Sequence, residues 1–214
     1  MNRFGTICAA LGLACLGAAP ASATTIFDDD FTEIVTFEDI NLGTTGSLTN
    51  FAIVDGTVDG YTDNGFGLPC PSAGCLDLDG TTANAARMES IDLNLTGGFD
   101  YTLTLNIAGS RRSGVADTLS FGLFDTLGIL VQDTQTLLPG EGFLGLSIAF
   151  SLTADTTAKI FLDHAGGDNF GMLLDRVTLT QNDVNAVPVP AALPLLTSIL
   201  AGFGVMGWRR HKRA

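Results

Sequence analysis

Between residues 24 and 181 short apolar runs alternate with segments rich in Thr, Gly and Asp. Ile91, Leu93 and Leu95 alternate with Asp92 and Asn94, and Leu103, Leu105 and Ile107 alternate with Thr104 and Asn106. A period of two places one residue set on one face of an extended strand. No apolar stripe recurs at helical spacing, and turn residues interrupt the runs every 8 to 15 positions or so, roughly the rhythm of all-β folds. The pattern predicts strands over 33–37, 48–54, 75–79, 87–95, 101–108, 117–124, 127–135, 142–153, 157–164 and 171–180. LTGGFD, residues 95–100, is the expected hairpin-type connection between the fourth and fifth. Many short strands without helices predict an all-β fold: a two-sheet antiparallel sandwich of jelly-roll type over residues 24–181.

Both ends depart from this pattern. Residues 1–23, MNRFGTICAALGLACLGAAPASA, carry one Arg at position 3, an apolar core and the small-x-small triplet Ala21-Ser22-Ala23. These features predict a secretory signal peptide. A lipoprotein signal ending at Cys15 is the rival, but it would place Gly12 where such signals favour Leu. At the other end a polar linker over 182–187 leads to an uncharged run from Ala191 to Trp208, followed by Arg209, Arg210, Lys212 and Arg213. As a helix the run would measure about 27 Å, enough to cross a thin bilayer core. The basic end should stay on the cytoplasmic side and leave the sandwich on the far side of the inner membrane.

Charge sharpens the picture. All 23 acids fall between Asp28 and Asp183, against five bases in the same interval, a net charge of −18. Such a body repels phosphate backbones and excludes nucleic acid as a partner. Export also selects among the cysteines. Cys8 and Cys15 would leave with the signal, and Cys70 and Cys75 remain around the turn residues Pro71 and Gly74. An oxidising compartment favours a disulfide between them over two free thiols, and no His lies near enough in sequence to complete a zinc site.

The chemistry-bearing residues are few. Asp77 and Asp79 fall on one face of a predicted strand, where two carboxylates either bind a hard cation such as Ca²⁺ or form a solvated edge. Asp55, Asp59 and Asp63 recur every four residues, which misses calcium-loop spacing, and are expected in turns. Arg111, Arg112, Asp168 and Asn169 stand in loops beside Gly or Ser and are the candidates for polar contacts to a sugar, with ordinary loop roles as the alternative. His164 is the single His of the body, and no nucleophile elbow, metalloprotease helix or phosphate-cradling loop accompanies it. It is expected in a turn or at a sheet edge. Two carboxylates suffice for glycoside hydrolysis, so a lyase or glycosidase stays open as the alternative to a non-catalytic protein. Tyr61 and Tyr101 are the only tyrosines, and Trp208 lies in the tail, so platforms for sugar stacking are scarce.

Val187-Pro188-Val189-Pro190-Ala191, the Gly-rich apolar span after it and the Arg-rich end together resemble the VPLPA variant of the PEP-CTERM sorting signal. The resemblance implies export by a Gram-negative bacterium and recognition of the Pro-containing motif by an exosortase, which removes the tail. The protein would then reach the cell surface or extracellular matrix. CLDLDGTT, GGFDYTLTLNIAGSRR and HAGGDNFGMLLDRVTL resemble the ectodomains of exported PEP-CTERM proteins that look like galactose-binding-type jelly rolls. That likeness implies an extracellular polysaccharide as partner. It also implies a structural Ca²⁺ held by Asp175 on a late strand and by Glu38 or Asp39 early in the chain.

Overall fold

The computed structural model describes residues 23–34, 38–41, 48–62, 65–80, 84–112 and 115–182. The predicted signal peptide up to residue 22, the predicted linker from residue 183, the Val187–Ala191 motif and the predicted membrane span lie outside the described residues. Among those described, no helix is long and apolar enough to cross a membrane.

Thirteen strands are formed among these residues: β1 (Ala23–Asp29), β2 (Glu38–Asn41), β3 (Phe51–Asp55), β4 (Thr57–Tyr61), β5 (Cys75–Asp77), β6 (Arg87–Ser90), β7 (Leu93–Leu95), β8 (Phe99–Ala108), β9 (Asp117–Asp125), β10 (Gly128–Leu137), β11 (Leu144–Leu152), β12 (Thr156–Ala165) and β13 (Leu173–Asn182). One sheet runs β11-β8-β13-β5-β4-β2, with β1 on β13, and the other runs β10-β9-β12-β6-β3, with β7 on β12. All strand pairs are antiparallel, so the fold is the predicted two-sheet sandwich.

The alternation of apolar and polar residues sets which face is buried. Leu103, Leu105 and Ile107 of β8 and Val177 and Leu179 of β13 meet Leu119, Phe121 and Leu123 of β9 and Ile160 and Leu162 of β12. Thr104 and Ser147, or Thr118 and Thr136, pair their hydroxyls on the solvent faces instead. A second, smaller apolar cluster sits on the opposite face of the first sheet. Leu174 points into the main core, so its neighbour Leu173 points outward, where it packs with Tyr61, Leu68, Cys70, Cys75 and Ala108. The Cys70–Cys75 disulfide is formed and belongs to this cluster.

Four local expectations are corrected. The predicted strand 87–95 is broken into β6 and β7, because the buried set shifts phase from Met88 and Ser90 to Leu93 and Leu95, with Ile91 50% exposed, and the Ser90 hydroxyl takes the Ile160 N–H of β12. LTGGFD is no hairpin: β7 pairs with β12 and β8 with β11 and β13, so this segment crosses between the sheets. An early strand lies at Ala23–Asp29, where it zips onto β13; of the predicted strand 33–37 only Glu33 and Ile34 are described, and neither is in a strand. Asp59, expected in a turn, is buried in β4 because β2 and β5 pair with that strand on both sides. Two-sided pairing outweighs the poor strand propensity of Asp and Gly in TVDGY.

Candidate functional site

The loop from Gly166 to Gly171 joins β12 to β13 and closes over Asp77 at the end of β5 and Asp79 just past it. Asp77 lies opposite Leu173 in register, so it points to the outer face of the first sheet, where Asp59 stands opposite it on β4. Its Oδ1 accepts from Gly171 N at 2.8 Å and Asp79 N at 3.2 Å, and its Oδ2 forms an ion pair with Arg112. Burial pushes the Asp77 carboxyl up to about 7, against the opposing pull of Arg112 and the two N–H donors. Arg112 also donates to Asn169 O at 3.1 Å, and its guanidinium carbon lies 5.0 Å from the Phe170 ring centroid. Its side chain is 25% exposed, and the Phe170 ring beside it is half-buried.

The loop owes its shape to its own residues. Asp168 Oδ1 accepts from Phe170 N at 3.1 Å, an Asx turn, and Asn169 takes the left-handed conformation at φ 60°, which Asn tolerates better than most residues. Gly167 N and Asp168 N donate to Asp79 Oδ2 at 2.5 and 3.0 Å. A β-carbon at Gly171 would stand 2.3 Å from Asp79 N, so the close approach needs glycine there.

Asp175 is the extra residue of a bulge, where β13 carries two residues against Asn106 of β8. The bulge aims its carboxylate at the disulfide turn. Oδ1 accepts from Ser72 N at 2.8 Å and lies 3.5 Å from Cys75 Sγ; Oδ2 accepts from Asn106 Nδ2 at 2.6 Å. Cys70, Cys75 and Asp175 stand close enough together to suggest metal ligands, but the disulfide leaves no thiolate to bind one.

Among the described residues, Asp77, Asp79 and Asp175 do not form a group close enough together to share one ion. Asp77 and Asp175 face the outer side with their oxygens taken by protein donors, and Asp79 lies past the end of β5 under the 166–171 loop. Glu38 pairs through its backbone with Gly60 on β4, and its side chain lies outside the described residues.

A second group of polar residues occupies one end of the inter-sheet core. Asp117 opens β9 in phase with Leu119, Phe121 and Leu123, and His164 follows Ile160 and Leu162 on the inward side of β12. His164 is therefore buried in a central strand instead of lying in a turn. Met172 N donates to its Nε2 at 3.3 Å, which leaves the proton of the neutral ring on Nδ1. Burial pushes His164 down to about 4 despite nearby Asp79 and Asp168. Burial, reinforced by Asp168 and Asp79, pushes Asp117 up to about 7.

The predicted polar contacts divide accordingly. Arg112, Asp168 and Asn169 come together, whereas Arg111 is exposed and donates to Gly140 O at 2.8 Å on the neighbouring turn. Both tyrosines are fully buried and offer no platform; the ring beside the polar group is Phe170. A shallow groove lined by Asn94, Leu95, Thr96, Asp155, Thr156 and Thr157 contains no aromatic ring.

No protein-family model and no curated protein matches this chain. Several solved structures do resemble it. The CBM22-1 xylan-binding domain of Xyn10C from Paenibacillus barcinonensis is 13% identical at a TM-score of 0.43, over 76% of this chain and 97% of that one. The K3 cleaved adhesin domain of Lys-gingipain from Porphyromonas gingivalis is 16% identical at 0.44, over 73% and 99%. TmCBM61, solved with β-1,4-galactotriose, is 12% identical at 0.42, over 60% and 86%.

Proposed function

We propose that the chain is an exported, non-catalytic protein of the cell surface or extracellular matrix that binds a neutral polysaccharide through Arg112, Asn169 and Phe170. Its tail serves as an address for an exosortase-type enzyme, and it is anchored in the inner membrane before processing. The observation that supports the binding role is the Arg112–Phe170 pair. A partly open guanidinium, anchored by a buried carboxylate and a backbone carbonyl, stands beside a partly open ring. Sugar sites combine such an apolar face for the ring hydrogens with pre-positioned polar groups for the hydroxyls. A body at −18 repels uronic-acid polymers, which favours uncharged glycans.

The test is retardation of the detergent-purified full chain in gels cast with neutral or acidic polysaccharides. The expected result is retardation by at least one neutral glycan, weakened about tenfold by Phe170→Ala, on the scale of one lost stacking contact. Retardation by none of the polymers, or an unchanged Phe170→Ala variant, would overturn the assignment.

A further inference from the structure

We infer that the end of the inter-sheet core holds a divalent cation of the calcium class between Asp79 and Asp117, with Asp168 at its rim. The inference is independent of the glycan-binding role.

The backbone brings these residues to one place. On β12, His164 pairs with Leu119 and Ala165 with Thr118 of β9, so the next step of the register sets Gly166 at the level of Asp117. A β-carbon on Gly166 would stand 2.5 Å from Asp79 Oδ2 and 2.8 Å from His164 Cε1. Asp79 and His164 therefore flank a single glycine, Asp117 stands near Asp79 and Asp168 at the same end of the core, and the loop N–H groups of Gly167 and Asp168 hold Asp79 from above.

Each of the three side chains keeps one polar atom without a partner. These are Asp79 Oδ1, Asp117 Oδ2 and His164 Nδ1, on residues 0%, 2% and 4% exposed. Orphaned polar atoms are costly in a core, and three at one end of it point to a shared occupant. A water molecule could meet the hydrogen-bonding deficit, but it leaves the carboxylates uncompensated. Among the described residues, no Lys or Arg pairs with Asp79, Asp117 or Asp168. His164 is neutral and brings no charge. A divalent cation meets both deficits: it takes the free oxygens of Asp79 and Asp117, and His164 Nδ1–H donates to a cation-bound water. Calcium accepts an irregular set of carboxylates, carbonyls and waters, as a loop like 166–171 can offer, whereas magnesium demands a near-ideal octahedron.

The experiment titrates calcium chloride into the chelator-stripped full chain in detergent, by calorimetry and by thermal melting. The expected result is one binding event and a rise in Tm of roughly 5–10 °C when calcium exceeds Kd a hundredfold. Magnesium at the same concentration should give a smaller shift. Asp117→Asn preserves shape and should weaken calcium binding at least tenfold, while Asp175→Asn should leave it unchanged. Should Asp117→Asn fail to fold, Asp168→Asn, which keeps its acceptor for Phe170 N, should weaken binding severalfold. Absence of heat and of any Tm shift in the wild type would assign the site to water or a proton and overturn the inference. So would calcium binding that survives Asp117→Asn or Asp168→Asn but is lost in Asp175→Asn.

Discussion

Asp29, the last residue of β1, shows what an incompletely satisfied buried acid does to stability. Its Oδ1 accepts from Phe31 N at 3.0 Å, but its Oδ2 is buried without a partner. Burial above all, with Glu33 and Asp30 nearby, pushes its pKa from 3.8 up to about 6. The folded state thus holds the proton more tightly than the unfolded state. The stabilising contribution is fully present below pH 3.8 and is lost as pH rises through about 6. Asp29→Asn keeps the acceptor for Phe31 N and cannot ionise. The variant should match the wild type near pH 4 and exceed it at pH 8 by on the order of 2 kcal/mol. Urea unfolding at the two pH values measures this; an equal difference at both would refute the coupling. At the same scale, part of the candidate site is legible in the sequence. Glycine neighbours flag Arg112, Asp168 and Asn169 as loop residues, and the closeness of Asp77 to Asp79 flags a charge that needs a partner. Asp117 escapes notice and His164 is expected in a turn or at a sheet edge, although each carries a signal: both continue an inward-facing apolar alternation, Asp117 with Leu119 and Leu123, His164 with Ile160 and Leu162. A polar residue in phase with a core stripe is buried by the strand's own geometry. Phe170 is missed because its partner Arg112 lies 58 positions away in sequence.

At the scale of elements, the long strands are legible because each is half-buried and alternates, as β8 and β12 do. The short ones depend on partners distant in sequence. β1 has two Asp at its end and docks through β13, where Asp28 forms an ion pair with Arg176; β4 exists because β2 and β5 flank it. Neither pairing leaves a trace in local pattern. Strand contact also explains Gly122, in the middle of β9. A β-carbon there would stand 2.0 Å from Val131 O on β10. Gly122→Ala must push β10 outward and should cost roughly 1–3 kcal/mol, read as a lower urea midpoint with unchanged slope. An unchanged midpoint would show that β10 yields freely at this point. The disulfide acts on a smaller element. Joining Cys70 and Cys75 closes a very short loop, so replacing both by Ala should cost about 2 kcal/mol. The loss should concentrate in the segment packed on Tyr61 and Leu173, where hydrogen exchange of the amides in 68–76 should quicken before that of β8 or β9.

At the scale of the whole molecule, charge separates the chain into an acidic body and a basic end. The bases at 209–213 follow an apolar run, the order expected of a helix that stops in a membrane with its basic end on the cytoplasmic side. The body would then be held on the opposite side, with a Pro-containing motif between it and the membrane. On the proposed reading, anchor and cleavage address are separate stretches of sequence, and they can be uncoupled. Deleting Val187–Ala191 removes the address and leaves the apolar span and the basic end intact. The variant should still be exported, because residues 1–23, the proposed signal peptide, are untouched. It should accumulate in the inner-membrane fraction at a mass that includes the tail, while the wild type is recovered shortened at the surface or in the medium. Cell fractionation with intact-mass measurement distinguishes the two. Delivery of the variant to the surface without its tail would show that processing reads some other feature, and the motif would lose its assigned role. Retention of wild type and variant alike in the inner membrane would make the tail a permanent anchor and remove the exosortase-type enzyme from the list of partners.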